Sequence, residues 1–368
     1  MLFTFILVHL LEDWLIALVV ATLDTLAAVI VWAHMKQRPL WGSGLVTVFA
    51  LLVILLVSPA GRILDFASQA LHFPGQTLLA SEDTAYGRVA VVKAENQTTF
   101  YQSGTLVGMT EMERAAEETA FLALLAHSLP RHALILGGGA SGVVRKALEL
   151  PWLRVDYVEL DGALIRMIRR HGAEADQRAL RSDRVRVFED TDARAFIKHA
   201  TGRYDVILSA LPNPSTGLLN RFHTREFFQE VSERLESEGV FGLQLSGAPT
   251  YMSTHHRALA ATVFHTLQSV FPTVRALPSD NAIFFIASQE PSGLCLTADL
   301  WERRMKQWKL DPAWLTPGTL REITRPEPCI ALANELNHAP VRHLNSDLHP
   351  VSYYHAPVSY THLRAHET

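Results

Sequence analysis

The stretch Ala133-Leu-Ile-Leu-Gly-Gly-Gly-Ala-Ser-Gly142 decides how the fold of this 368-residue chain is predicted. Its four leading apolar residues have the composition of a short buried strand, and Gly137, Gly139 and Gly142 follow with the spacing G-x-G-x-x-G. Residues 143–150 behind them have a helical pattern. Glycines at such a strand-to-helix turn allow a tight bend and let a ligand approach the backbone closely. Because glycine turns of this kind are common, the motif alone does not indicate a function, which has to be inferred from the sequence around it.

Short apolar runs alternate with helical segments on the carboxyl side of the motif. The further predicted strands are residues 153–160, 184–188, 204–209, 239–245, 274–277 and 282–287. Continuous apolar strands indicate a mostly parallel sheet that is covered by helices on both faces. The last two strands are joined only by Pro278-Ser-Asp280, which predicts that the final strand is antiparallel. The sequence therefore predicts an α/β, Rossmann-like, seven-stranded domain over residues 131–290.

Two acidic residues follow successive predicted strands. Glu159 ends the second strand, seventeen residues after Gly142, where a carboxylate can hold both hydroxyls of a ribose. Asp192 follows the third strand, where it can accept a hydrogen bond from an adenine amino group. The alternative for both side chains is that they cap the helix that follows. Two acids in this arrangement favour an adenosine that is carried without a diphosphate.

The apolar excess of the chain lies at its amino-terminal end. Residues 14–33 contain one charge, Asp24, and residues 42–60 contain none. Each segment can cross about 30 Å of hydrocarbon as a helix. We therefore predict a transmembrane segment over residues 1–62 with the lipid bilayer as a partner. A signal peptide fits less well, because no basic region precedes the first apolar run and there are two long runs.

The orientation of the predicted spans stays open. The loop between them carries His34, Lys36 and Arg38, and the positive-inside rule places such a loop in the cytoplasm. A two-span hairpin would then return the remainder of the chain to the outside. A nucleoside-binding domain, in contrast, is expected in the cytoplasm, and that is the location we predict for the globular part.

The remaining sequence divides into further segments. Residues 63–76 are predicted as a linker, and residues 77–130 as a small β-region plus a helix, with a hairpin turn at Glu95-Asn96. Residues 291–357 are a C-terminal extension in which prolines predict extended segments. Residues 358–368 (VSYTHLRAHET) are similar to translated adapter sequence and are expected not to belong to the natural protein, which we expect to be longer at both ends.

Composition excludes several classes of function. The formal net charge of −4 supplies no positive field for phosphates, so no nucleic-acid partner is expected. The chain has two cysteines, Cys295 and Cys329, which is too few for a disulfide framework or a cysteine-based zinc cluster. It also has 17 histidines, but the adjacent pair His255-His256 points in different directions on a helix. No metal site is therefore predicted.

Four segments, in chain order, resemble the spermidine/spermine synthase family: LILGGGASG (134–142), VDYVELD (155–161), VFEDTDARAFI (187–197) and YDVIL (204–208). The resemblance covers about residues 75–288 and implies the class I S-adenosylmethionine methyltransferase fold. Members of the family typically transfer an aminopropyl group from decarboxylated S-adenosylmethionine to a polyamine. The two apolar segments, together with residues 211–224, are similar to a membrane-fused bacterial branch, which implies a multi-pass protein of the bacterial inner membrane.

The resemblance implies which residues line the site. For the nucleoside, which is decarboxylated S-adenosylmethionine or S-adenosylmethionine as co-substrate, they are Gly137, Gly138, Gly139, Gly142, Glu159, Asp161, Asp192 and Ala193. For a small amine or polyamine substrate they are Tyr86, Glu118, Asn213 and Thr216.

This sequence departs from the family where the acids of the reaction usually lie. The glycine motif usually reads GGGDGG, and here Ala140 takes the place of its aspartate. The strand-four motif usually reads DSSDP, and here Ala210 replaces the base while Asn213 replaces the second acid. The family's Tyr-His pair is represented by Ala116-Glu117, and Glu117 stays a polar candidate for the site without being assigned as a base. Since an attacking amine must first lose a proton, no residue is assigned as catalytic.

Three functions stay open from the sequence. The first is a membrane-anchored spermidine synthase-like protein, either an aminopropyltransferase or a divergent transferase. The second is a non-catalytic domain that senses a nucleoside or polyamine and is coupled to a membrane transporter-like region. The third is a small-molecule methyltransferase, for which Ala140 leaves room for the carboxylate of S-adenosylmethionine. A homodimer also stays open.

Overall fold

The computed structural model describes residues 13–35, 42–110, 112–249, 252–290, 294 and 296–355. The chain divides into two compact units between Val107 and Gly108. Four features of the sequence prediction lie outside the described residues, namely Lys36, Arg38, Cys295 and the segment 358–368.

The first unit begins with three helices, α1 (Asp13–His34), α2 (Gly42–Val57) and α3 (Ala60–Ala70). From Trp14 onward α1 is long and apolar enough to cross a membrane. Helix α2 meets the same criterion only together with α3, from which it is bent by 86°. The helix predicted over residues 42–60 therefore ends at Val57, because Pro59 lacks an N–H and disfavours helical backbone before it. By length and composition, the described residues hold one candidate span, or two if the bent pair is one.

A four-stranded sheet follows in the order β1-β2-β3-β4. Its strands are β1 (Thr77–Thr84), β2 (Gly87–Ala94), β3 (Gln97–Gln102) and β4 (Thr105–Met109), and β4 spans the division between the two units. Strands β2 and β3 pair antiparallel across Glu95 and Asn96, so the predicted hairpin is confirmed. Glu95 occupies the left-handed region with φ of 50°, as such tight turns require.

The second unit contains a seven-stranded sheet in the order β10-β11-β9-β8-β5-β6-β7. Its strands are β5 (His132–Leu136), β6 (Arg154–Val158), β7 (Val185–Phe188), β8 (Tyr204–Ser209), β9 (Leu235–Ser246), β10 (Thr273–Pro278) and β11 (Ala282–Ser288). Strand β11 is antiparallel to both of its neighbours, and the other adjacent pairs are parallel. The predicted α/β Rossmann-like sheet with an antiparallel final strand is confirmed.

Helices cover both faces of this sheet. They are α4 (Glu113–Leu124), α5 (Val143–Ala147), α6 (Gly162–His171), α7 (Glu174–Leu180), α8 (Ala193–His199), α9 (Gly217–Asn220), α10 (Arg225–Glu233), α11 (Thr254–Gln268), α12 (Ala298–Trp308), α13 (Pro317–Ile323), α14 (Pro326–His338) and α15 (Ser352–His355). The largest apolar side chains between helices and sheet include Phe227, Phe228, Phe241, Phe264 and Phe285.

The C-terminal extension is more helical than its prolines predicted. Pro317 and Pro326 are the first residues of α13 and α14. Proline is well suited to the first helical position, because its fixed φ fits a helix and the N–H at that position has no partner within the helix. The prediction of extended segments at these two prolines was therefore wrong.

Candidate functional site

The glycine turn lies between β5 and α5, at the point where the strand order reverses between β5 and β8. Open α/β sheets bind ligands in the crevice at such a point. Gly137, Gly138 and Gly142 have φ of +68°, +75° and +84°, which side chains rarely adopt. Residues 139–141 form a single turn of 3-10 helix, and α5 begins only after Gly142. Most residues of the turn are buried, and its accessible part is Gly138 and Ser141, which are partly exposed.

A chain of hydrogen bonds connects this turn to Glu159. The N–H of Gly139 donates to Tyr157 Oη at 3.1 Å, and the Tyr157 hydroxyl donates to Glu159 Oε2 at 2.8 Å. A Cβ atom on Gly139 would lie only 2.1 Å from Tyr157 Oη, so the contact requires glycine. Sequence reasoning missed Tyr157; the available signal was a hydroxyl-bearing residue two positions before Glu159, hence on the same face of its strand.

Glu159 is buried, and both of its carboxylate oxygens accept hydrogen bonds from the protein. Oε1 accepts from the N–H groups of Leu160 at 3.0 Å and Asp161 at 3.4 Å. Burial raises the pKa of Glu159, although the bonds from Tyr157 and the backbone oppose the rise. These contacts fix the orientation of the carboxylate while its oxygens keep lone pairs for ligand hydroxyls.

The capping alternative is wrong for Glu159 and correct for two other predicted site residues. Asp161 caps α6, since its Oδ1 accepts from the N–H of Ala163 at 3.0 Å. Asp192 caps α8, since its Oδ1 accepts from the N–H of Ala195 at 2.9 Å, and its other oxygen is paired with Arg221. Ala193 is the buried first residue of α8. A role of these residues in binding a nucleoside stays a prediction.

Glu118 lines a cleft in the second unit with a volume of roughly 260 Å³, together with Met112, Arg114, Ala115, Gln244, Asn281, Ala282 and Trp314. Its Oε1 accepts from Arg114 Nε at 3.0 Å and from Ser279 Oγ at 2.9 Å. Arg114 also forms an ion pair with Asp280 at 2.8 Å. The cleft therefore holds the Glu118 carboxylate beside the Arg114 guanidinium, which Asp280 also pairs from outside the lining.

The other three residues predicted to meet the substrate have local partners. Asn213 bridges to the backbone of Ser246 through two hydrogen bonds of 2.9 Å, one donated and one accepted. Thr216 caps α9 by accepting from the N–H of Leu219. Tyr86 belongs to the first unit, where it is exposed at the turn between β1 and β2. Contact of any of the three with a substrate stays a prediction.

The two alanines that replace family acids both lie at the glycine turn. Ala210 follows β8 directly and donates its N–H to Leu136 O at 3.0 Å. A Cβ on Gly138 would lie 2.4 Å from the Ala210 Cβ, so the two residues face each other closely. Ala140 is buried within the turn itself. The side chains at these two positions are therefore methyl groups instead of carboxylates.

Glu117, which was also considered as a polar candidate, contacts a different part of the structure. It is completely buried, and it accepts hydrogen bonds from Lys146 Nζ and from the N–H groups of Ala313, Trp314 and Leu315. Burial alone raises a carboxyl pKa, but the Leu315 N–H and the Lys146 ammonium outweigh it, so the pKa of Glu117 lies below its usual value. Glu117 thus ties the C-terminal extension to α4.

The C-terminal extension also holds the loop between α9 and α10. Asp347 accepts from Thr224 Oγ1 at 2.8 Å and pairs with Arg194 at 2.7 Å. Asn345 Nδ2 donates to the carbonyl oxygen of His223 at 2.9 Å. These contacts fix residues 221–225, and Arg221 in turn holds Asp192 at the end of β7.

Because His223 in this loop is buried, we expect the unfolding free energy of the protein to fall in acid. Complete burial lowers the pKa of His223 to about 4 in the folded state. In the unfolded chain the same side chain has a pKa of about 6.5, so between these two values the unfolded state binds a proton that the folded state does not. Stability is therefore present above the unfolded pKa and is lost as the pH falls toward the folded one. We expect His223 to contribute about 2 kcal/mol to the loss of unfolding free energy between about pH 7 and about pH 4.5.

The measurement is chemical denaturation of the wild type and His223→Gln at both pH values. The variant should lose less stability on acidification than the wild type. The control His255→Gln alters an exposed histidine and should behave like the wild type. An unchanged pH dependence in His223→Gln would contradict the assignment.

Among the described residues, no group of three or more His, Cys, Asp or Glu side chains is arranged to hold a metal ion.

Comparison with known proteins identifies the domain that forms most of the second unit. Residues 112–294 match the model of the spermine/spermidine synthase domain. A polyamine aminopropyltransferase of Leptospira interrogans is 29% identical over 224 residues, which are 59% of this chain and 44% of the relative. One from a Synechococcus species is 28% identical over 230 residues, which are 61% of this chain and 68% of the relative. The chain thus spans less than half the length of the Leptospira relative.

Solved structures show the same fold. A spermidine synthase in complex with the transition-state analogue AdoDATO aligns with a TM-score of 0.60 at 18% identity, over 71% of this chain and 88% of that one. The spermidine synthase of Thermotoga maritima aligns with a TM-score of 0.57 at 18% identity, over 71% and 87% of the two chains. The domain match and the curated relatives agree on one family, and the solved structures share the fold of the chain. Through residues 112–294 this chain belongs to the spermine/spermidine synthase family.

Proposed function

We propose that this chain is a membrane-anchored, spermidine synthase-like transferase that binds decarboxylated S-adenosylmethionine or a closely related nucleoside. The observation that carries the proposal is the bonded series from Gly139 through Tyr157 to Glu159. It holds a carboxylate in one orientation beside the glycine turn. This arrangement suits the ribose of a nucleoside, and the family of the chain supplies the donor class.

In the proposed complex, Glu159 accepts hydrogen bonds from the ribose hydroxyls and Asp192 from the adenine amino group. The amine nitrogen of the acceptor attacks the aminopropyl carbon, the carbon–sulfur bond breaks, and methylthioadenosine leaves. One proton must leave the attacking amine. Residues 210–213 at the end of β8 include no acid, so we assign no base there. The cleft at Glu118 is proposed to receive the cationic acceptor, a small amine or polyamine.

The amino-terminal helices support the membrane part of the proposal. Large apolar side chains of α1 and α2 are exposed along both helices, among them Leu23, Ile30, Val48 and Ile54. Lipid is the solvent in which such surfaces are stable. We therefore propose anchoring in a bacterial inner membrane, with the globular domain in the cytoplasm.

A second function, nucleoside or polyamine sensing without catalysis, is favoured by the methyl groups at the glycine turn. Ala210 and Ala140 remove the carboxylates of the family's reaction, whereas the turn and Glu159 keep a complete hydrogen-bond network. A protein that has lost catalysis but still binds its ligand is expected to lose the reacting carboxylates and to keep the residues that hold the ligand. Methyl transfer from S-adenosylmethionine is the third function, and Ala140 leaves space for its carboxylate.

Isothermal calorimetry with three nucleosides tests the proposal, using the full chain in detergent or lipid. The ligands are decarboxylated S-adenosylmethionine, S-adenosylmethionine and methylthioadenosine. We expect Glu159→Gln to weaken binding by roughly 10- to 100-fold, because hydrogen bonds to a charged group contribute about 1.5–3 kcal/mol. The matched control Glu236→Gln, an exposed residue at the start of β9, should bind like the wild type.

The same samples separate the three functions. Product formed with putrescine or spermidine and the decarboxylated donor supports the transferase. Binding without product supports the sensor, and preference for S-adenosylmethionine supports the methyltransferase. If Glu159→Gln binds all three ligands as tightly as the wild type, the nucleoside site proposed here is wrong.

A further inference from the structure

Helix α3 is amphipathic, with its apolar face exposed. Ile63, Leu64, Phe66 and Leu71 fall on one side of the helix at a spacing of 3.6 residues per turn. Their exposed fractions are 65%, 57%, 40% and 82%. Gln69 lies on the opposite side and is only 6% exposed. A helix at a water-exposed protein surface normally has the reverse arrangement.

The polar side of α3 is the side turned toward the rest of the first unit. Gln69 Nε2 donates to the Asp65 carboxylate, and Asp65 is partly buried. The helix lies against α1, α2 and β1. On the apolar side only the small Ala70 packs against the Leu78, Ala90 and Val92 cluster of the sheet, while the four larger side chains stay exposed. The large apolar side chains of α3 are therefore not covered by the rest of the first unit and are available for contact with a different apolar environment.

The direction of α3 relative to α2 indicates which surroundings contact its exposed apolar face. Helix α2 contains no charged residue, and Val46, Leu51 and Val57 are exposed along it. If α2 enters the hydrocarbon core, its axis runs roughly along the bilayer normal. Helix α3 leaves it at 86° and then runs nearly in the plane of the membrane. At that position, amphipathic helices insert their apolar face between headgroups and acyl chains.

We propose that α3 is an interfacial helix that lies on a phospholipid bilayer, with Ile63, Leu64, Phe66 and Leu71 inserted beneath the headgroups. The proposal rests on the membrane anchoring proposed above. Exposed apolar residues continue along the chain from Val57 at the end of α2 to Ile63 and Leu64 in α3, which favours one lipid contact over a separate protein partner. Arg62 and Asp65 cancel in formal charge, so the contact does not require anionic lipid.

Depth-dependent fluorescence quenching tests this placement in the full chain. Cys295 and Cys329 are replaced by serine, and single cysteines are introduced as Leu64→Cys, Phe66→Cys, Ser68→Cys and Val48→Cys. Each carries an environment-sensitive fluorophore in vesicles of zwitterionic phosphatidylcholine. The lipids bear a spin-label quencher either near the headgroup or near the end of the acyl chain. Ser68 is the polar reference position, because it is exposed at the edge of the apolar face, one turn from Leu64, and its label should lie closer to water.

We expect the labels at positions 64 and 66 to be quenched at least twofold more by the headgroup-proximal quencher than by the deep one. The label at Ser68 should be quenched less than either. Strongest quenching of position 66 by the deep quencher would overturn the proposal, because α3 would then continue a broken span. Labels at 64 and 66 that escape both quenchers, while Val48 is quenched, would also overturn it and indicate a protein partner or a second copy.

The label at Val48 separates the two proposals. If Val48 is quenched by the deep quencher, α2 is in the membrane whatever α3 does. If Val48 escapes both quenchers, the anchoring itself fails, and the interfacial placement of α3 fails with it.

Discussion

Replacement of Glu117 by glutamine is expected to destabilise the second unit by about 3–5 kcal/mol, the usual result of breaking a buried ion pair. The carboxylate receives four donors: Lys146 Nζ and three successive backbone N–H groups, those of Ala313, Trp314 and Leu315. A glutamine presents one oxygen and one NH₂ group, so at least one of these donors faces another donor. The Lys146 ammonium is nearly buried and also loses a charged partner.

The measurement is the unfolding free energy from chemical denaturation, with hydrogen exchange at the three amides as a local readout. Exchange at residues 313–315 should accelerate before the remainder of the unit unfolds, because Glu117 alone attaches these amides to α4. The matched control is Glu149→Gln, which removes another partner of Lys146, at 2.9 Å, from a partly exposed site. Its effect should stay below about 1 kcal/mol. Equal effects of the two variants would contradict this account of Glu117.

Replacement of Gly139 by alanine is expected to weaken nucleoside binding by about 100-fold and to lower the unfolding free energy by about 1–3 kcal/mol, as over-packing does. The new methyl group would meet Tyr157 Oη at 2.1 Å, and Tyr157 is completely buried. Either the turn moves away from β6 or the tyrosine ring moves within the core. In both cases the hydroxyl no longer bridges Gly139 to Glu159, and the carboxylate loses the contact that orients it.

Calorimetry with methylthioadenosine and denaturation curves measure the two effects on the same preparations. Gly217→Ala is the matched control, because an added Cβ there meets no atom within 4 Å and the residue begins a short helix. It should leave affinity and stability unchanged. Tyr157→Phe removes the bridging hydroxyl without adding volume, and it should lower affinity with a smaller loss of stability. Wild-type affinity in Gly139→Ala would show that the bonded series does not serve the ligand.

The fold of the second unit could be predicted because its signals are local. Apolar runs and helical periodicity fall within about ten residues of each other, and the short Pro278–Asp280 connection was enough to predict an antiparallel final strand, as found. The left-handed glycines of the turn could be predicted for the same reason, since positive φ is a property of single residues. Local signals failed at Pro317 and Pro326, because proline both ends extended segments and begins helices.

The candidate site was predictable only in part. The position of Glu159 at the end of β6 followed from the alternation of strands and helices, but the capping alternative could not be excluded for Glu159 or established for Asp192. Whether such a carboxylate caps the following helix or stays available to a ligand depends on where the next backbone N–H groups point. Asp161 takes the cap of α6, and this leaves Glu159 free for Tyr157 and the crevice.

The sequence alone determined the succession of strands along the chain, the glycine turn and the positions where family acids are replaced by Ala140 and Ala210. The tertiary structure alone decided which polar groups meet. Glu117 and Leu315 are 198 residues apart, and Asn213 and Ser246 are 33 apart, yet both pairs are hydrogen-bonded. Periodicity and turn chemistry act over one or two turns of chain, whereas a buried carboxylate takes whichever donors the packed sheet and helices bring to it. For that reason Glu117, which by sequence could have been a substrate ligand, is a structural anchor.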